Sequence, residues 1–208
     1  MMRALVACEC SGVVRRALRA QDIDAWSCDL KPAEDGDPHH IRGEAIEAAY
    51  GSRWHLLIAH PECTYLANSG AKHLYAGMRA ENGSNPDRWA RMGAAAAFFL
   101  ALWSAPVPHI CIENPIMLGH PRRLFGIPAP TQTIQPWQFG HGETKATCLW
   151  LRNLPPLLPT SEVDGREQRV FRMAPGPNRK ADRSRTYEGI AAAMAEQWTW
   201  HIARRLVA

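Results

Sequence analysis

Two residues able to do covalent chemistry sit where apolar runs stop. Cys63 follows the run His55–Ala59 by way of His60-Pro61-Glu62, and a polar, small-residue loop, TYLANSG, comes next. An apolar run of this length bounded by proline is the pattern of a central parallel strand, and open α/β sheets place their chemistry at the carboxyl ends of such strands. A cysteine held there beside a proline-fixed backbone is a candidate nucleophile. A second run, Pro108–Glu113 (PHICIE), ends in a carboxylate closed by Asn114-Pro115. In a parallel sheet that carboxylate lies in the same layer as Cys63 and is a candidate acid. On spacing alone Cys63 reads equally well as a buried structural thiol among six cysteines, and Glu113 as half of a strand-end ion pair.

A third concentration lies at the start of the chain. Arg3–Ala7 is a short apolar run, Cys8-Glu9-Cys10-Ser11-Gly12 follows, and Val13–Ala20 has helical spacing with Val14 and Leu18 on one face. A strand, a tight turn and a helix leave backbone N–H groups free at the helix start, the usual cradle for an anionic or polar ligand group. An ordinary βα turn reads the same way. Ala25–Leu30 is a second strand ending at Asp29, an acid spaced to meet ribose hydroxyls or else to cap a turn. His39 and His40 are adjacent in a loop of Pro, Asp and Gly, where they cannot face one metal ion; no metal site is expected.

The elements that must carry these groups alternate. Ile41–Tyr50 reads as a short amphipathic helix with Glu44 near its start, and Arg88–Ser104 as an alanine-rich helix capped by Asp87. Between the Cys63 loop and that helix, Ala71–Arg91 interleaves Lys72, His73, Arg79, Arg88 and Arg91 with Tyr75 and Trp89, which suits either a nucleic-acid strand or a solvated lid. A proline-rich excursion (Pro121–Pro136), a glycine-hinged turn (Gln138–Gly142), a strand (Lys145–Leu151), a basic loop (Arg166–Arg185) and a final helix (Tyr187–Val207) complete the chain. This alternation predicts an α/β fold, a Rossmann-like doubly wound, mostly parallel sheet. One domain over residues 1–208 is expected, with mobile substrate-facing segments around 64–91 and 115–145 and the basic loop at 166–185. Hydrophobic content of 46% and 21% charged residues are ordinary for a soluble protein, and a net charge of +4 permits a nucleic-acid partner. The chain has neither a signal-peptide layout nor an apolar run long enough for a membrane span, so a cytoplasmic setting with free thiols is expected.

The order of these pieces resembles the DNA (cytosine-5) methyltransferase superfamily, in particular its short phage-type members that lack a full target-recognition domain. Residues 8–12 resemble the FxGxG turn that holds S-adenosyl-L-methionine, with cysteines in place of the Phe and first Gly. Asp29 resembles the acid that binds the cofactor ribose, and Glu44, in HIRGE, the acid that contacts the adenine amino group. LLIAHPECTYLANSG resembles the catalytic Pro-Pro-Cys motif, with Glu62 in place of the second proline. Ile112-Glu113-Asn114-Pro115 resembles the Glu-Asn-Val motif, and Arg183–Tyr187 followed by GIAAAMAEQW resembles the last motif, which completes the cofactor pocket.

The resemblance implies methyl transfer from S-adenosyl-L-methionine to carbon 5 of cytosine in DNA, with the base flipped out or single-stranded. It implies Cys63 as nucleophile and Glu113 as acid, with Pro61, Asn68, Ser69, Asn114, Pro115 and Lys145 around the base. It implies Cys8, Glu9, Cys10, Ser11, Gly12, Val13, Asp29, Leu30, Glu44, Arg185, Thr186 and Tyr187 around the cofactor. Either Lys145 or Arg152 would supply the cation of the poorly matched Gln-x-Arg-x-Arg motif. Such short segments between the later strands leave room for a partner chain in target recognition. Three alternatives stay open: a relative using a carboxylated S-adenosyl-L-methionine, for which Arg183 and Arg185 would matter, one acting on free pyrimidine nucleotides, and a non-catalytic nucleic-acid-binding module.

Overall fold

The structure, a computed structural model, describes residues 1–176 and 179–206. Pro177, Asn178, Val207 and Ala208, and the side chains of Lys180, Ala181 and Leu206, lie outside the described residues. Seven strands form one sheet: β1 (Arg3–Ala7), β2 (Asp24–Asp29), β3 (His40–Arg42), β4 (Leu56–Ala59), β5 (His109–Pro115), β6 (Gln132–Ile134) and β7 (Thr147–Arg152), in the order β3-β2-β1-β4-β5-β7-β6. The first five run parallel, and β7 lies antiparallel between β5 and β6. This is the Rossmann-like, mostly parallel class expected.

The central strands are uniformly apolar because helices cover both faces of the sheet. Alternate residues of β1 and β4 serve opposite layers. Ala4, Val6, Leu56 and Ile58 face a core shared with α1 (Val13–Arg19) and α7 (Glu188–Leu206); Leu5, Ala7, Leu57 and Ala59 face α2 (Ala45–Tyr50) and α3 (Pro86–Trp103). Two prolines of the proline-rich connections are held by buried indoles. Trp150 Nε1 donates to the Pro128 carbonyl at 2.9 Å, and Trp198 Nε1 to that of Pro155 at 3.0 Å.

Five features differ from expectation. Ile41 belongs to β3, paired with Cys28 of β2, so the following helix starts only at Ala45. Helix α3 is capped by Asn85, whose side chain accepts from Arg88 N at 3.2 Å with Pro86 in the first turn; Asp87 pairs with Arg91 instead. Asn114 and Pro115 do not close β5 but lie within it, opposite Cys148 and Thr147. The excursion after it holds α4 (Gly119–Phe125) and the edge strand β6, too short to show a pattern in sequence. The basic stretch, expected as a loop, contains α5 (Arg169–Arg172) and α6 (Arg179–Ser184). Helix α7 packs along α1 and approaches the Phe139 turn so closely that a methyl group on Gly189 would overlap the Phe139 carbonyl. Gly189→Ala should therefore cost about 1–3 kcal/mol in urea unfolding, because the obstacle is backbone that cannot move aside.

Candidate active site

The site forms where β4 and β5 end. Ala59 is paired with Ile112, so one step further His60 stands opposite Glu113. His60 Nδ1 lies 3.0 Å from Glu113 Oε2, with their side chains only 10% and 13% exposed. The other ring nitrogen of His60, Nε2, is buried without a hydrogen-bond partner. Asn114, buried beside Glu113, donates through Nδ2 to the Pro61 carbonyl at 3.0 Å and so ties β5 to the turn that carries Cys63. Its Oδ1 is likewise buried and unpartnered. Unpartnered buried polar atoms are costly, and two at neighbouring strand ends, on one edge of the sheet, suit a site that a ligand completes.

The Cys63 carbonyl accepts from Leu66 N and Ala67 N, which starts a tight turn. That turn is clamped from both sides. Asn68 N donates to the Ile116 carbonyl and Leu118 N to that of Leu66, both at 2.8 Å, while Arg88 of α3 donates to the Thr64 carbonyl and lies over the Tyr65 ring. Asn68 and Ser69 are exposed at the start of a 3-10 turn (Asn68–Leu74). Glu62 is exposed too, and it accepts from the Thr64 hydroxyl at 2.9 Å.

Electrostatics link residues far apart in sequence. Burial pushes the Cys63 thiol above its ordinary value, the charge of Glu113 pushes it further, Lys145 opposes both, and Glu62 adds the smallest push of the four. Glu113 would be raised by burial, yet the His60 hydrogen bond and the Lys145 charge outweigh that and hold it below the usual carboxylate range. Glu113, Lys145, Thr147, Thr186, Tyr187 and Ile190 line one narrow cleft. Lys145 Nζ reaches the Arg185 carbonyl at 3.4 Å. Arg152, the other candidate cation, is excluded: it lies at the opposite end of the sheet, donating to the carbonyls of Trp103, Ala105 and Val107.

The first turn is built around Glu9. This buried carboxylate accepts from Val14 N at 2.8 Å, Arg15 N at 3.4 Å and the Ser11 hydroxyl at 3.3 Å. The helix-start amides expected to be free are thus taken by the chain's own carboxylate, and a phosphate would meet like charge there. Gly12 adopts a left-handed conformation, and a Cβ on it would crowd Arg15, Asp35 and Arg16. Cys8 is pushed up to about 12 by burial and by the nearby Asp29, Cys28 and Glu44, which shows that those acids converge on it. Asp29 Oδ1 accepts from Lys31 N at 2.9 Å, the turn-capping role, while Leu30 beside it is 63% exposed.

An acidic strap crosses this turn. Glu34 bonds Cys10 N-terminal to the helix, its amide donating to the Cys10 carbonyl at 2.8 Å, and Arg185 reaches Glu34 Oε2 at 2.6 Å from the far end of the chain. Fully buried Arg15 donates to Asp35 at 2.5 Å and to Ser27, which in turn meets His40 Nδ1 at 2.8 Å. His40, expected in a loop, is therefore the first residue of β3 and joins this network.

Sequence reasoning overlooked His60, His141 and Glu143. Glu143 binds Arg169 at 2.7 Å and the Tyr187 hydroxyl at 2.7 Å, and His141 Nε2 accepts from Gly189 N at 3.0 Å, so this turn seats the start of α7 against the cleft. His60 becomes visible only through the register, which sets it one step beyond the Ala59–Ile112 pair and opposite Glu113. Among the described residues no group of His, Cys, Asp and Glu is placed to hold a metal ion, and no helix is long and apolar enough to cross a membrane.

The fold and site thus define a Rossmann-like α/β protein with a thiol and a carboxylate at adjacent strand ends. No family model and no curated protein matches the chain. Among solved structures it is similar to an E. coli prophage-encoded protein described as a DNA modification methyltransferase, at 10% identity and a TM-score of 0.46 over 73% of this chain and 46% of that one. It is also similar to S. pombe Dnmt2 methyltransferase (16%, TM-score 0.39, 82% and 53%) and to Spodoptera frugiperda DNMT2 (12%, TM-score 0.39, 80% and 54%). The chain spans about half the length of each.

Two outcomes test this geometry. Replacing Glu113 by Gln removes the charge that raises the Cys63 thiol, so Cys63 alkylation by iodoacetamide, followed by peptide mass spectrometry, should become faster at a given pH. Burial would raise Asp35, but its bonds to Arg15, the Asp37 amide and Arg16 dominate and hold it at about 2 against an ordinary 3.8. A depressed carboxylate stabilises above its unfolded value and loses that as pH falls through its folded value. Asp35→Asn should therefore lower the melting temperature at pH 6, since buried Arg15 loses a counter-charge, and the gap to the parent should close between about pH 4 and pH 2.

Proposed function

We propose that this chain transfers a methyl group from S-adenosyl-L-methionine to carbon 5 of cytosine in DNA through a covalent adduct on Cys63. The observation that carries the reading is the coupling of Cys63 to Glu113 at neighbouring strand ends, with Lys145 facing both.

Carbon 5 of cytosine is a poor nucleophile within an aromatic ring. Addition of the Cys63 thiolate to carbon 6 breaks the aromaticity and moves electron density to carbon 5, while a carboxylic acid at ring nitrogen 3 neutralises the charge that builds there. At rest the pair is a thiol beside a carboxylate, since Cys63 is pushed up and Glu113 is held down. The addition uses the reverse, a thiolate beside a carboxylic acid, so the proton has to pass from Cys63 to Glu113 as the base binds. Lys145 favours the thiolate but also the carboxylate, and the binding of the base has to supply the rest. Asn114 and Pro61 hold the turn in place. Carbon 6 is inaccessible inside a stacked duplex, so the base must be flipped out or single-stranded.

The residues of the first turn fit the cofactor better than they fit a nucleotide phosphate, because Glu9 already fills the helix start. Residues 8–13 would hold its amino-acid end, Asp29 its ribose, exposed Leu30 and Glu44 its adenine, and Thr186 with Tyr187 would close the pocket beside Glu113. The bound cofactor supplies an electrophilic methyl group on a sulfonium. A carboxylated cofactor is the weaker reading, since Arg185, which would meet the extra carboxylate, is already bonded to Glu34.

DNA containing 5-fluorocytosine provides the test, because the fluorine blocks the release that follows methylation. The protein with S-adenosyl-L-methionine should form a denaturation-resistant adduct carrying one methyl group, and Cys63→Ser should abolish it. A non-catalytic binder would give no adduct with either protein, and a mass gain other than one methyl would overturn simple methylation.

A further inference from the structure

His60 and Glu113 form a buried pair that the proposed chemistry leaves unexplained. They are opposed by the parallel register of β4 and β5 and joined by the 3.0 Å contact between Nδ1 and Oε2. A carboxylate can only accept, so Nδ1 carries the hydrogen, and in the neutral ring Nε2 is bare. That nitrogen is buried without a partner among the described residues, as is one ring nitrogen of His120 and of His201; what sets His60 apart is its contact with the buried Glu113 carboxylate.

We infer that His60 is a positioning residue for Glu113, holding Oε2 so that the other oxygen faces the base and linking the carboxylate's ionisation to the imidazole. This rests on the reading of Glu113 as the acid at ring nitrogen 3. Other elements surround the pair with few charges. Lys145 approaches from the segment before β7, Cys63 from the loop after β4, Cys111 from β5 itself, and Tyr187 from the start of α7. Of these groups His60 is the one hydrogen-bonded to the carboxylate among the described residues. Without that bond, burial would act on Glu113 with only the Lys145 charge against it. An unrestrained carboxyl would also rotate, and misplacement of an acid by a fraction of an ångström is costly for proton transfer.

The experiment titrates the Glu113 carboxyl directly by carbon-13 NMR of the full chain, with the resonance assigned by Glu113→Gln. His60→Ala should move that titration to higher pH. His60→Asn, whose amide N–H can take the place of Nδ1–H, should return it most of the way. In the 5-fluorocytosine assay His60→Ala should form adduct about tenfold more slowly or worse, a loss typical of removing the group that orients a reacting residue, with its pH profile displaced in step with the carboxyl. His60→Asn should recover most of the rate, and thermal melting checks that both variants fold. A Glu113 titration unmoved in folded His60→Ala overturns the inference even where the parent protein forms the adduct normally. If the titration moves while the parent forms no adduct, the link between His60 and Glu113 stands and the cytosine reading falls.

Discussion

Parallel pairing of β4 with β5, in the register that sets Ala59 against Ile112, is the constraint on which the site depends. It brings two strand ends into one layer, so the thiol turn and the carboxylate meet without either element bending toward the other. Each feature of the site extends this pairing. The Asn114 side chain crosses to the Pro61 carbonyl, His60 crosses to Glu113, and residues 66–68 zip onto 116–118 just beyond. A slip of one residue would set Ile112 rather than Glu113 opposite His60, so the register decides which side chains meet at this edge of the sheet.

The first turn solves a different problem. A helix start is electropositive, and here the chain answers it with buried Glu9 rather than leaving it for a ligand. Arg15, buried just inside the same helix, then needs its own counter-charge, and Asp35 provides it by drawing the acidic strap across the turn. Arg185 joins the strap through Glu34, so the last motif is attached to the first by ion pairs as well as by the packing of α7 on α1. The surroundings of Cys8 that result are acidic, and Leu30 stands exposed beside Asp29.

Helix α7 completes the cleft from the far end of the chain, and its approach is governed by small groups. Gly189 lets its backbone meet the Phe139 turn, and Glu143 and His141 then seat Tyr187 and Gly189 beside Lys145. The glycine-hinged segment after β6 therefore serves as a socket for the final helix.

The sequence by itself determined the sheet class, the apolar strands that lead to Cys63 and carry Glu113, and the βα turn, because apolar runs and breaker residues are local and survive in the linear order. Arg3–Ala7 and the helix that follows were legible to within a residue for that reason. What periodicity cannot encode was decided only in three dimensions. The three-residue strands β3 and β6 exist because neighbours offer them a ladder, and Asn85 rather than Asp87 caps α3 because the chain enters the helix at Pro86. Lys145 lies beside Glu113 and Arg152 at the opposite end of the sheet because β7 runs antiparallel to β5, with Thr147 paired to Pro115 and Arg152 to Ile110. His60 showed its partner only once the register was known: a hydrogen bond between residues 53 positions apart leaves no trace in local pattern, and only the pairing of two strands brings its ends together.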